Sequence, residues 1–132
     1  MSVTVTPFLR NVLRVDALVS GTAGLLMAAG APWLAPFLGL PSGLLFWAGV
    51  ALFPFVALLL GVAARAEVQR LMLVDIIGIN ALWVAASFGV LFSGAIEPNM
   101  LGYAFVIVQA LAVAVLAELQ FVGMRRSAGA TA

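Results

Sequence analysis

The chain has 132 residues, of which 65% are hydrophobic and 8% charged, with a formal net charge of +1 and a mean hydropathy of +1.24. A water-soluble domain of this size has too little interior to hide that much apolar surface. All six cations are Arg, scattered in pairs rather than along a stripe, so no nucleic-acid partner is expected; with no Cys and no His, disulfides, thiol chemistry, Cys/His zinc sites and His-ligated haem are excluded, and no metal or cofactor is expected.

Apolar runs between turn signals predict a single integral membrane domain over 1–132, all-α, built as a four-transmembrane-helix bundle. The first span is expected over about residues 8–30. Arg10 and Arg14 precede its apolar run, which ends in Ala29-Gly30-Ala31, in the manner of a secretory leader; Asp16 inside the run argues against cleavage. Ala17, Gly21, Gly24 and Ala28 form a stripe of small residues at helical spacing, the pattern through which helices approach closely in lipid.

The link from Ala31 to Ser42 carries Pro32, Pro36 and Pro41 among large apolar residues. Too apolar for a solvated loop, it is predicted to form a short interfacial helix or a shallow re-entrant turn. The second span, about 43–64, contains Pro54, expected to kink it, above Ala57, Gly61 and Ala64. The third, about 71–92, repeats the small-residue stripe with Asp75, Gly78, Ala81, Ala85 and Gly89, and the fourth covers about 100–123. These stripes are expected to pack as the bundle core, with a solute pathway along them as the alternative.

Four spans bring Arg10, Arg14, Arg65, Arg70, Arg125 and Arg126 to one side, while the opposite links hold only Glu97. The positive-inside rule therefore puts both termini in the cytoplasm. Trp33, Phe37, Phe46, Trp47, Phe92 and Tyr103 gather at the far interface, where aromatic rings favour the headgroup layer.

Arg14, Asp16, Asp75 and Glu118 are expected at similar depth in the inner leaflet, as one charge cluster. It reads either as an ion-pair lock that fixes helix order or as a relay in which one acid titrates during transport. Asn80 and Gln109 are placed near mid-membrane, where each amide wants a partner. They are expected to satisfy each other inside the bundle, with contact to another subunit as the alternative; the second polar faces of the third and fourth spans leave room for a homo-oligomer or a larger membrane complex, and the lipid bilayer is the constant partner. No nucleophile with a base, phosphate loop or metal-ligand spacing is present in the sequence, so an enzyme is not expected.

The segments GTAGLLMAAGAPWLAPFLGLP, INALWVAAS and AFVIVQALAVAVLAELQFVGMRR together resemble an uncharacterised family of small four-helix bacterial inner-membrane proteins, loosely DoxX-like in organisation. The resemblance covers nearly the whole chain and implies a multi-pass inner-membrane protein, with no reaction attached. The function expected from the sequence is thus a non-enzymatic accessory or structural component of a membrane assembly; the alternative is a small proton-coupled transporter or channel that uses an inner-leaflet carboxylate.

Overall fold

The computed structural model describes the backbone of residues 2–131 and the side chains of residues 2–127. The element order is β1 (Ser2–Thr4), α1 (Pro7–Leu38), α2 (Ser42–Ala63), β2 (Glu67–Gln69), α3 (Arg70–Phe92) and α4 (Met100–Thr131). All four helices are long and apolar enough to cross a membrane. The all-α, four-helix architecture is therefore as the composition requires: in hydrocarbon each backbone amide must find its partner within its own segment.

The Arg-rich end is closed by a feature that period and hydropathy did not predict. β1 pairs antiparallel with β2, Val3 opposite Val68, and Val5 N–H donates to Ala66 O at 2.8 Å. Val3, Val5 and Val68 are buried with Leu9, Leu59, Val62, Leu73 and Met124, so this ribbon plugs the base of the bundle. Thr6 then caps α1, its hydroxyl oxygen accepting from Leu9 N–H at 3.2 Å, with Pro7 in the first turn where no amide hydrogen is needed. Arg10 bridges from α1 to the end of α2. Its guanidinium donates to Ala63 O at 2.8 Å and Arg65 O at 3.2 Å, satisfying carbonyls at the end of α2 and matching the negative pole of that helix.

At the opposite end the expected interfacial helix or re-entrant turn is replaced by a longer α1. The helix continues through Pro32 and Pro36 to Leu38, about 48 Å in all. Each proline forfeits one helical hydrogen bond, yet both lie in the last two turns of the helix with their rings exposed rather than buried in a seam. The stop comes at Gly39, with φ of 68° and its N–H on Ala35 O. Asn99 ties this end to the start of α4: its N–H donates to Leu38 O, its Nδ2 to Phe37 O at 2.9 Å, and its Oδ1 accepts from Gly102 N–H at 2.9 Å. Helix α4 likewise outruns its predicted end near 123.

The helices are arranged in the order α2, α1, α4, α3, with α2 and α3 scarcely meeting. The α1–α2 seam is the tightest. A Cβ placed on Gly49 would lie 2.7 Å from both Ala28 N and Gly24 O, so the two backbones touch through Gly24, Ala28 and Gly49. The small stripe of α1 is thus a packing face, as expected. The stripes of α2 and α3 are not: Ala57, Gly61, Ala64, Gly78, Ala81, Ala85 and Gly89 all face outward. Instead α2 buries Leu45, Gly49, Leu52, Phe55, Leu59 and Val62, and α3 buries Leu73, Ile76, Asn80 and Leu91. Large apolar side chains fill the interior because a four-helix assembly with one open side needs volume there more than close backbone approach.

Candidate functional site: a caged carboxylate beside two chambers

The predicted charge cluster does not assemble. Arg14, Asp75 and Glu118 are exposed on the outer surface, and among the described residues no ion pair joins them to each other or to Asp16. The physical reason is helical phase. Asp16 lies two positions, about 200°, from Arg14 on α1, and Asn80 and Gln120 lie on the faces of α3 and α4 turned away from Asp75 and Glu118. When those polar faces turn inward, the neighbouring charges turn outward.

Asp16 alone of the four is buried, at 0% exposure, about 14 Å along α1 from Pro7. Its Oδ1 accepts from Ser20 Oγ at 3.0 Å. Its Oδ2 accepts from Asn80 Nδ2 at 2.9 Å and Gln120 Nε2 at 2.6 Å, and Asn80 Nδ2 also donates to Gln120 Oε1 at 2.9 Å. These bonds join α1, α3 and α4 in one ring of contacts. No cation and no second acid touches the carboxylate among the described residues, so any charge on it is balanced by the dipoles of three neutral side chains.

A second network stands one to two turns further along α3. Trp83 Nε1 donates to Gln109 Oε1 at 2.7 Å, and Gln109 Nε2 donates to Ser87 Oγ at 3.0 Å and to Val106 O at 2.9 Å. Ser87 Oγ donates back to Trp83 O at 2.7 Å. Asn80 and Gln109 therefore both spend their N–H donors inside the bundle, but on separate partners rather than on each other. They fall in different layers, Asn80 with Gln120 and Gln109 with Ser87.

Two cavities of about 220 Å³ each occupy the gap left where α2 and α3 fail to pack. The inner chamber touches all four helices, with Ser20, Phe55, Asn80, Trp83, Phe105 and Gln109 on its wall. The outer chamber extends to Leu40 and Ile96 in the two far links. Met27, Trp83, Phe105 and Gln109 belong to both walls and form the waist between them. Since an apolar cavity of about 150 Å³ already holds benzene, each chamber is large enough for a small organic molecule.

Ser20, Trp83, Ser87 and Gln120 complete the site and are not among the site residues expected from the sequence. The available signals were the i, i+4 spacing of Asp16 and Ser20 and the polar face of α4 opposite Glu118. They were outweighed by the expectation that an acid in lipid is partnered by Arg, whereas amides can do the same work. No family model matches the chain, and no curated protein or solved structure is significantly similar to it.

Proposed function

We propose that the chain is a small non-enzymatic transporter of a bacterial inner membrane, with both termini in the cytoplasm, in which Asp16 exchanges a proton or a bound solute and the chambers between α2 and α3 hold the solute. The observation that carries this reading is the joining of a fully buried, cation-free carboxylate to a lined cavity through the same two side chains, Ser20 and Asn80. A purely structural lock would pin α1, α3 and α4 equally well, but it has no use for the adjoining space. The kinship with DoxX-like inner-membrane proteins rests on the resembling segments alone.

Purified protein in liposomes, with a trapped pH-sensitive dye and an imposed pH gradient, tests the reading. Proton flux is expected, and Asp16→Asn is expected to reduce it at least about tenfold, while Asp75→Asn and Glu118→Gln leave it near the wild-type rate. Undiminished flux through Asp16→Asn would defeat the assignment. Six Arg at the end that holds β1, the α2–α3 link and the end of α4 support that orientation. With no native Cys, single replacements report it cleanly: a membrane-impermeant maleimide should label Ser42→Cys in intact cells and Glu67→Cys only after permeabilisation.

One feature favours a second reading, that of an accessory component in a larger assembly. Helix α3 presents Asp75, Gly78, Ala81, Ala85 and Gly89 outward, and Glu118 of α4 is also exposed, an unusual combination for a surface that meets only lipid chains. Wild-type vesicles that carry no flux at all would favour it.

A further inference from the structure

The hydrogen atoms on the chamber walls can be counted against their acceptors. Asn80 Nδ2 has two, given to Asp16 and Gln120; Gln109 Nε2 has two, given to Ser87 and Val106. The Trp83 indole N–H is held by Gln109, the Ser20 hydroxyl by Asp16 and the Ser87 hydroxyl by Trp83 O. Every polar side-chain hydrogen facing either chamber is spent. What remains is acceptor capacity only: Asn80 Oδ1, to which no donor among the described residues is hydrogen-bonded, the lone pairs of the Ser20 hydroxyl, and at the waist and beyond it the second lone pairs of Gln109 Oε1 and Ser87 Oγ.

This polarity is imposed rather than incidental. Asp16 Oδ2 and Gln120 Oε1 are both acceptors, so the Asn80 amide must turn its nitrogen toward them, which leaves its oxygen for the chamber that Asn80 lines. The Ser20 hydroxyl is committed to the carboxylate in the same way. A ligand whose head offers only acceptors would leave both its own head and Asn80 Oδ1 unpaired in an apolar enclosure; a head with an N–H or O–H satisfies both at once. The rest of the wall is aliphatic and aromatic, from Phe55 in the inner chamber and Phe105 at the waist to Leu44 and Val90 beyond it, and few contacts close the side between α2 and α3.

We propose that the paired chambers bind an apolar small molecule carrying one hydrogen-bond donor head, an amine or an alcohol, which enters laterally between α2 and α3 and seats its head on Asn80 Oδ1 and Ser20 Oγ with its tail beyond Trp83. This names the solute class of the transport reading and rests on that reading only for its role. The Asp16 carboxylate behind the two acceptors adds electrostatic preference for an amine over an alcohol.

The test is calorimetric titration of the full chain in detergent, corrected with empty micelles, using three probes of nearly equal size: 4-phenylbutylamine, 4-phenylbutanol and its methyl ether, which has no donor. The amine and the alcohol are expected to bind, the amine more tightly, and the ether at least about tenfold more weakly than the alcohol. Asn80→Ala should erase the difference between alcohol and ether. Because that change also disturbs the Asp16 cage, Ala51→Phe supplies an independent arm: it fills the inner chamber from α2, away from the cage and the α1–α2 seam, and should weaken all three probes about tenfold or more. Equal binding of ether and alcohol to the wild type, or an Ala51→Phe variant that binds as the wild type does, would overturn the inference. Probe binding without liposome flux would leave the site standing and remove the transport role; flux without probe binding would do the reverse.

Discussion

Asp16→Leu is expected to destabilise the bundle by roughly 3 kcal/mol, more than removal of any other charged side chain. Among the described residues the carboxylate is the sole acceptor for Gln120 Nε2, and it takes one of the two Asn80 Nδ2 hydrogens. Leucine would leave the Gln120 donor with nothing to bond in a site that is sealed; an orphaned buried donor costs about 1–3 kcal/mol, and the lost bonds to Asn80 and Ser20 add to it. The decisive comparison is the triple variant Asp16→Leu, Asn80→Leu, Gln120→Leu. Removing the acid and both amides together leaves only the Ser20 hydroxyl without its acceptor, and a helical serine can turn to a backbone carbonyl one turn back, so unfolding in mixed micelles should show most of the stability returning, in the way that replacing a whole buried polar set is often neutral. A triple variant as unstable as the sum of its three parts would show that the residues act by packing, not as a network. Arg14→Leu and Glu118→Leu, whose side chains are exposed and have no ion-pair partner among the described residues, should each shift stability by less than about 0.5 kcal/mol.

Gly49→Leu is expected to open the α1–α2 seam, at a cost of about 3 kcal/mol or more. Any Cβ at this position meets two backbone atoms of α1 at 2.7 Å and Met27 Cβ at 3.0 Å, and backbone cannot rotate out of the way as a side-chain end can. The helices must therefore separate along the contact that supplies most of their packing, and in lipid no hydrophobic exclusion pulls them back. Gly61→Leu is the matched control on the same helix: beyond its own stretch of helix, nothing among the described residues lies within 4 Å of its added Cβ, so thermal unfolding in detergent should be unchanged. Equal loss from the two variants would mean that helix propensity, not the seam, governs the effect.

The two glycines illustrate how much the sequence discloses. Gly49 and Gly61 both lie in an apolar span, and Gly61 belongs to the more regular small-residue stripe with Ala57 and Ala64. Spacing alone favours Gly61, yet the structure seats Gly49 against α1, because which face a lipid-embedded helix turns inward depends on its neighbours and not on its own pattern. The charged residues follow the same logic. Arg14, Asp16, Asp75 and Glu118 all fall in the half of their helix nearer the Arg-rich end, but depth along a helix is a one-dimensional property that sequence position supplies, while azimuth is relative. Only the docking of three helices could separate Asp16, turned in to Asn80 and Gln120, from the three charges turned out.

From the sequence alone came the solvent, the number of crossings, the sidedness of the arginines and the absence of His and Cys chemistry. Each follows from composition and run length, because hydrocarbon forces every apolar stretch of about 20 residues into a helix whatever its partners are. The tertiary structure alone decided the length of α1 beyond its prolines, the terminal ribbon, the carboxylate caged by amides and the chambers beside it. Those depend on atoms far apart in the chain meeting within hydrogen-bonding or van der Waals range, and hydropathy, which sums over neighbours in sequence, holds no term for such meetings.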